Sequence, residues 1–296
     1  MYKKINGNKI SKILYEELKK YLLTKDKLPY IVDISIGNDF GGHMYAEMKK
    51  KKINKETGIN FESIHFEEIT YEELKQYIKD LNNNENVTGI MVQLPLPNYL
   101  KEYERDLLDT INPNKDIDGL TSIQAGLLTT GSDTIIPCTA LGIEVLLKTY
   151  DVELTGKRVA IINRSNIVGK PLIQLMLKNN ATPIICHSKT KNLADITRQC
   201  DIIIAALNKQ EYITKEHIKE DTIIIDVGVH KNKLGKTVGD VDLTDVYDKV
   251  NLITPPIGGV GPMTICMLAY NAAKAIYKKD IDELLQVSIK KAQKLM

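Results

Sequence analysis

Short runs of β-branched residues alternate with longer stretches of helical spacing along nearly the whole of this 296-residue chain. No other feature restricts its fold so strongly. Residues 30–36, 59–66 and 89–94 read as strands, the last stopped by Pro95 and Pro97. Residues 10–23, 44–57 and 70–81 read as helices. The third opens on Thr-x-x-Glu, a capping-box pattern, and Gly58 suits the end of the second. Strands and helices in this order predict a parallel sheet covered by helices. A connecting helix, 141–150, leads to a second series with strands at 159–162, 182–187, 201–206, 222–229 and 251–254. A long helical region then runs from 263 to about 294. The predicted architecture is two α/β domains, the second a doubly wound Rossmann-type domain, with the C-terminal helix returning to the first. The expected boundaries are 1–139 plus 265–296 for the first domain and 140–264 for the second.

Composition narrows the function. A net charge of +2, with no arginine-rich tract, argues against a nucleic-acid binder. No apolar run approaches the roughly 18 residues of a membrane span, and residues 1–8 hold no apolar signal core. A cytoplasmic protein is the expectation. The four cysteines, Cys138, Cys186, Cys200 and Cys266, form no C-x-x-C pair, and the five histidines are dispersed. Free thiols and no metal site are expected.

The segment 158–172 holds the strongest local signal: a β-branched strand, a polar loop from Asn163 to Gly169, and Pro171 in a first helical turn. Such a turn directs backbone N–H groups and a helix N-terminus at a phosphate, although the loop alone also fits an ordinary helix start. Its place as the first βα turn of a βαβ series favours a dinucleotide. The next strand ends in Cys186-His187-Ser188-Lys189, without the acid that binds an NAD ribose. Ser188, Lys189 and Arg164 suit a 2′-phosphate instead, so NADP is the expected cofactor. Ser188 also fits a plain N-cap of the following helix.

Three features of the first half could face a substrate. Tyr45 and Lys49 lie four apart, on one helix face, but Lys49 also begins a run of lysines that suits a solvated surface. Gln93 ends a buried strand, where its amide needs a partner, structural or functional. Asp116 and Asp118 precede Gly119, either as helix caps or as a grip on a ring bearing N–H donors.

Taken together, Tyr45-x-x-x-Lys49, Val92-Gln-Leu-Pro-Leu96, Lys115-Asp-Ile-Asp-Gly-Leu120, Pro137-Cys-Thr139, Arg164-Ser-x-x-Val-Gly-Lys-Pro171, His187-Ser188, Gly239-Asp-Val-Asp242 and Gly258-Gly-Val-Gly-Pro-Met-Thr264 resemble one family. It is the bifunctional methylenetetrahydrofolate dehydrogenase/methenyltetrahydrofolate cyclohydrolase of the FolD type. Each motif is weak alone; in family order across nearly the whole chain they are specific. The resemblance implies oxidation of 5,10-methylenetetrahydrofolate by NADP, hydrolysis of the methenyl product to 10-formyltetrahydrofolate, and a homodimer. It implies catalytic roles for Lys49, Gln93, Tyr45 and Asp118. Asn163, Arg164, Ser165, Ser188 and Val229 would hold the cofactor. Tyr45, Gln93, Asp118, Gly259 and Pro262 would touch the folate, the glycines of 258–261 allowing close backbone approach. Asn163 and Asn208 stand where the family has glycines, and both residues tolerate positive φ.

Overall fold

The computed structural model describes residues 3–37 and 40–296; the side chains of 40–45 are outside the described set. Strands and helices alternate as predicted. In chain order they are β1 (Lys3–Lys4), α1 (Gly7–Leu22), β2 (Tyr30–Ile36), α2 (Phe40–Thr57), β3 (Asn60–Phe66), α3 (Tyr71–Asn83) and β4 (Gly89–Val92). There follow α4 (Glu104–Thr110), α5 (Ser122–Thr129), α6 (Cys138–Thr149), β5 (Arg158–Ile162), α7 (Gly169–Lys178), β6 (Thr182–Cys186), α8 (Leu193–Thr197) and β7 (Ile202–Ala205). The chain closes with β8 (Thr222–Asp226), the hairpin β9 (His230–Lys231) and β10 (Thr237–Val238), α9 (Leu243–Val246), β11 (Val250–Ile253), α10 (Val260–Tyr277) and α11 (Lys279–Gln293). The long C-terminal helix is thus two helices, separated at Lys278, which takes a φ of 50°.

The chain divides into two compact units: Met1–Ile13, Thr139–Thr264 and Ile289–Met296 form one, and Leu14–Cys138 with Ile265–Ser288 the other. The two chain ends depart from the expected boundaries, which put them with the first domain. The reason is pairing: β1 lies parallel to β11, and Gln293 donates to the carbonyl of Lys148 at 2.8 Å.

The first unit holds a six-stranded sheet in the order β1-β11-β8-β7-β5-β6, with every pairing parallel. The order reverses at β5, so the loop after β5 sits at the switch point, where open parallel sheets bind ligands. Strands such as Ile202–Ala205 are buried throughout, as parallel strands under helices must be. In the second unit β2 is the centre of a parallel sheet ordered β3-β2-β4. Helix α3 begins with the predicted capping box: Glu73 N donates to Thr70 Oγ1, and Thr70 N donates back to Glu73. All four cysteines are buried, and none is in a disulfide.

Candidate functional site

The loop after β5 is built on Asn163. Its Oδ1 accepts from Ser165 N at 2.7 Å and Gly169 N at 3.2 Å, while its Nδ2 donates to Ala206 O at 2.7 Å. One side chain therefore closes the loop and fastens it to the end of β7. Ser165 continues the knot, its Oγ accepting from Val168 N and its carbonyl from Lys170 N. This corrects the expectation of a cradle of free backbone donors: the N–H groups of Ser165, Val168, Gly169 and Lys170 are satisfied within the loop. Gly169 is obligatory for packing, since a Cβ there would run into the Asn163 carbonyl. Asn208 does take positive φ, at 56°, whereas Asn163 is absent from the positive-φ residues among those described and works through its side chain.

Above this loop lies a cleft of about 410 Å³ lined by Asn163, Arg164, Ser165, His187, Ser188 and Lys209, among others. Four of the five predicted cofactor residues thus share one cavity. Val229 does not line it; it follows β8 and is largely exposed. Lys189 is not in the lining either, and its N–H turns back to His187 Nδ1. The cation that joins Arg164 is Lys209, which sequence reasoning missed. Ser188 is not an N-cap, because α8 begins after Asn192. Lys209 is held from behind. Asp240 accepts from Leu207 N, Asn208 N and Lys209 N, and from His230 Nε2 at 2.7 Å. Asp226 in turn accepts from Asp240 N, Val241 N and Gly228 N. Burial pushes the Asp226 carboxyl up to about 7, against those three donors. This framework explains the Gly239-Asp-Val-Asp242 motif, whose glycine has no room for a Cβ beside Asp226.

The glycines at 258–259 are required by the chain's own packing. A Cβ on Gly7 would strike the Gly259 carbonyl, and one on Gly259 would strike that of Pro255. Gly258 also needs a φ of 79°. Pro262 sits partly buried in the first turn of α10.

In the second unit, Lys49 is not part of a solvated face. It is buried, and its Nζ lies 3.3 Å from Asp33 Oδ2. Asp33 is the central residue of β2 and fully buried. Gln93, just past β4, donates its Nε2 to Asp33 Oδ1 and Oδ2 at 2.6 and 2.7 Å. A carboxylate only accepts, so this contact fixes which way the Gln93 amide faces. Burial raises the Asp33 pKa, with the Lys49 charge opposing. Reading 30–36 simply as a short strand passed over this residue; a lone carboxylate inside an apolar parallel strand was the available signal.

The two carboxylates after β4 divide their duties. Asp116 is buried and accepts from the N–H groups of Gly119, Leu120 and Thr121, so it shapes the turn. Gly119 meets that turn with a φ of 71°, and a Cβ on it would crowd the Ile135 carbonyl. Asp118 is left for other work. Burial pushes its pKa up to about 6, Lys49 opposes this, and Asp116 and Asp33 add to it. Cys138 hydrogen-bonds Asp118 and accepts from Asn271 Nδ2 at 3.4 Å; burial pushes its thiol far up, so it stays protonated. Tyr45 lies on α2, but its side chain is outside the described residues. A separate cavity of about 550 Å³, between the start of α3 and the turn at 98–103, contains none of these candidates.

A switch-point cleft with two cations, and a buried lysine ringed by carboxylates and an amide, define a dinucleotide-dependent enzyme with acid–base machinery on a second unit. The comparisons agree. Residues 137–280 match the tetrahydrofolate dehydrogenase/cyclohydrolase NAD(P)-binding domain, and residues 5–118 match the catalytic domain of the same family. The bifunctional protein FolD of Lachnoclostridium phytofermentans is 43% identical over 283 residues, covering 94% of this chain and 99% of that one. The bifunctional FolD structure from Campylobacter jejuni superposes with a TM-score of 0.88 at 38% identity, covering 94% of this chain and all of that one. The Trypanosoma brucei enzyme, determined with NADP cofactor and an inhibitor, gives a TM-score of 0.87 at 30% identity, covering 94% and 98%. The chain belongs to the tetrahydrofolate dehydrogenase/cyclohydrolase family.

Proposed function

We propose that this protein oxidises 5,10-methylenetetrahydrofolate to 5,10-methenyltetrahydrofolate with NADP and then hydrolyses the product to 10-formyltetrahydrofolate. The observation that carries the reading is the burial of Lys49 against Asp33, with Gln93 tied to the same carboxylate. A lysine on a solvated face has no such arrangement.

The first-unit cleft fits the cofactor. Its lining offers Arg164, Lys209, Ser165 and Ser188 to phosphate and ribose oxygens, with Asn163 holding the loop in shape. The two cations, and the absence of an acid after β6, favour a 2′-phosphate, hence NADP over NAD. Bound there, NADP supplies a hydride acceptor. The protein's side chains do the rest. Hydride loss leaves a cationic folate, which a protonated amine beside it would oppose. Lys49 in its neutral form takes a proton from the attacking water. Gln93 fixes the position of the lysine through the shared Asp33. Asp118 accepts from the ring N–H and amino donors of the pterin. Tyr45 stacks on the ring system; Gly259 and Pro262 border the folate, and Val229 the nicotinamide ribose. The family resemblance supports a homodimer in the cytoplasm, acting on small folates rather than on nucleic acid or membrane. Among the described residues no helix is long and apolar enough to cross a membrane.

The direct test is Lys49→Ala. Hydrolysis of methenyltetrahydrofolate should disappear while NADP binds with unchanged affinity. Near-normal hydrolysis in that variant would remove Lys49 from the mechanism.

A further inference from the structure

The apolar strand β2 carries one full charge at its centre. Asp33 is flanked by Ile31, Val32 and Ile34, all buried, and pairs in register with Met91 of β4 and Ser63 of β3. A buried carboxylate is costly unless it is paired. The chain's other buried aspartates spend their lone pairs chiefly on backbone: Asp116 on three N–H groups, Asp226 on three, and Asp240 on three beside His230 Nε2. Each of those shapes a turn. Among the described residues Asp33 accepts only from two side chains, Gln93 and Lys49. Its partners are thus the very groups assigned to the chemistry. No turn depends on it.

We propose that Asp33 is a positioning residue for the folate reaction: held by the Gln93 amide, its carboxylate fixes the Lys49 amine and takes up the lysine's proton when positive charge develops on the substrate. The inference rests on Lys49 acting as the base. In the transfer an O–H bond forms on Asp33 as an N–H bond of Lys49 breaks, and the net charge of the pair stays zero. The neutral amine then takes a proton from the attacking water. The pair, now carrying two protons, returns one to solvent, which is the single proton that hydrolysis of the methenyl cation releases. Burial raises the Asp33 pKa and makes it a fit acceptor. Among the described residues, the other titratable groups around the pair include Asp116 and Asp118 in the loop after β4, Cys138 at the start of α6, and His65 on β3, whose Nδ1 lies 3.0 Å from Ser35 Oγ. Asp116 is committed to backbone, Cys138 stays a thiol, and His65 pairs with Ser35. Asp118 therefore remains the second charge that Lys49 faces.

Asp33→Asn in the full-length protein tests this. Asparagine keeps an oxygen for the Gln93 amide but cannot take a proton. Without the internal acceptor, Lys49 has to lose its proton to solvent. The acid limb of the pH profile for methenyltetrahydrofolate hydrolysis should then move to higher pH by at least one unit. At neutral pH kcat should fall tenfold or more, with NADP affinity within twofold of wild type. An unmoved limb overturns the proposal, whether kcat is kept or falls by the same factor at every pH, because a purely structural role gives the latter. If Asp33→Asn does not fold, Asp33→Glu decides: it retains the acceptor and should keep the wild-type limb, and a displaced limb counts against Asp33. Lys49→Ala separates the two readings. Hydrolysis surviving in Lys49→Ala refutes the base itself, whereas an inactive Lys49→Ala beside an unmoved Asp33→Asn profile refutes only the role of Asp33.

Discussion

At the scale of single residues, three aspartates, two buried and one partly buried, do different work according to their donors. Asp116 faces backbone N–H groups and makes a turn; Asp33 faces Lys49 and Gln93; Asp118 is raised to about 6 with no backbone donor to hold its charge. A carboxyl raised above its ordinary 3.8 favours folding while protonated, and that contribution is lost as pH rises through the window from 3.8 to about 6. In the proposed role of Asp118 binding has the opposite sense, because pterin donors would need the carboxylate. Folate affinity should fall as pH drops below about 6, measured by titration in the absence of turnover, and Asp118→Asn should both weaken binding and flatten that dependence. An Asp118→Asn protein with wild-type affinity across the range would leave the pterin without this anchor. Sequence reasoning singled out Lys49, Gln93 and Asp118 because motif spacing displays them. It missed Asp33, since reading 30–36 simply as a short strand does not report which partner meets a residue there.

At the scale of elements, the strands and helices were readable because parallel strands buried on both faces stand out as β-branched runs, and Thr70 with Glu73 marks a helix start by its own chemistry. The break at Lys278 was not readable: a single left-handed residue leaves no trace in the periodicity of α10 and α11. The loop after β5 was recognised by position but misjudged in mechanism, because hydrogen bonds from a side chain to its own loop are invisible in a motif. Asn163 makes two such bonds, to Ser165 and Gly169, and a third to Ala206 past the end of β7. Each is worth about 1 kcal/mol. Asn163→Ala should therefore lower stability by about 1–3 kcal/mol in denaturant unfolding and weaken NADP by roughly tenfold in equilibrium titration. Unchanged NADP affinity would show that the loop's shape is set elsewhere. Lys209 was missed for a related reason: it reaches the cleft only because Asp240, over thirty positions away in sequence, gathers the 207–209 loop.

At the scale of the whole molecule, the two units divide the labour. One carries the switch-point cleft with its cations; the other carries a lysine, an amide and carboxylates around a single buried pair. The division by contacts groups the chain ends with the nucleotide unit, a pairing that a two-residue strand such as β1 is too short to announce in sequence. Nothing in either unit's local chemistry names the substrate; the order of motifs along the chain and the family it shares do so. The central claim is that one protein performs both the oxidation and the hydrolysis. It is tested by supplying the purified protein with 5,10-methylenetetrahydrofolate and either NADP or NAD, and following both the reduced nicotinamide and the methenyl product. The account predicts reduction with NADP in clear preference to NAD, and methenyltetrahydrofolate that decays to 10-formyltetrahydrofolate faster than it does without protein. No reduction of either nucleotide, or methenyltetrahydrofolate that accumulates and decays only at the uncatalysed rate, would contradict it.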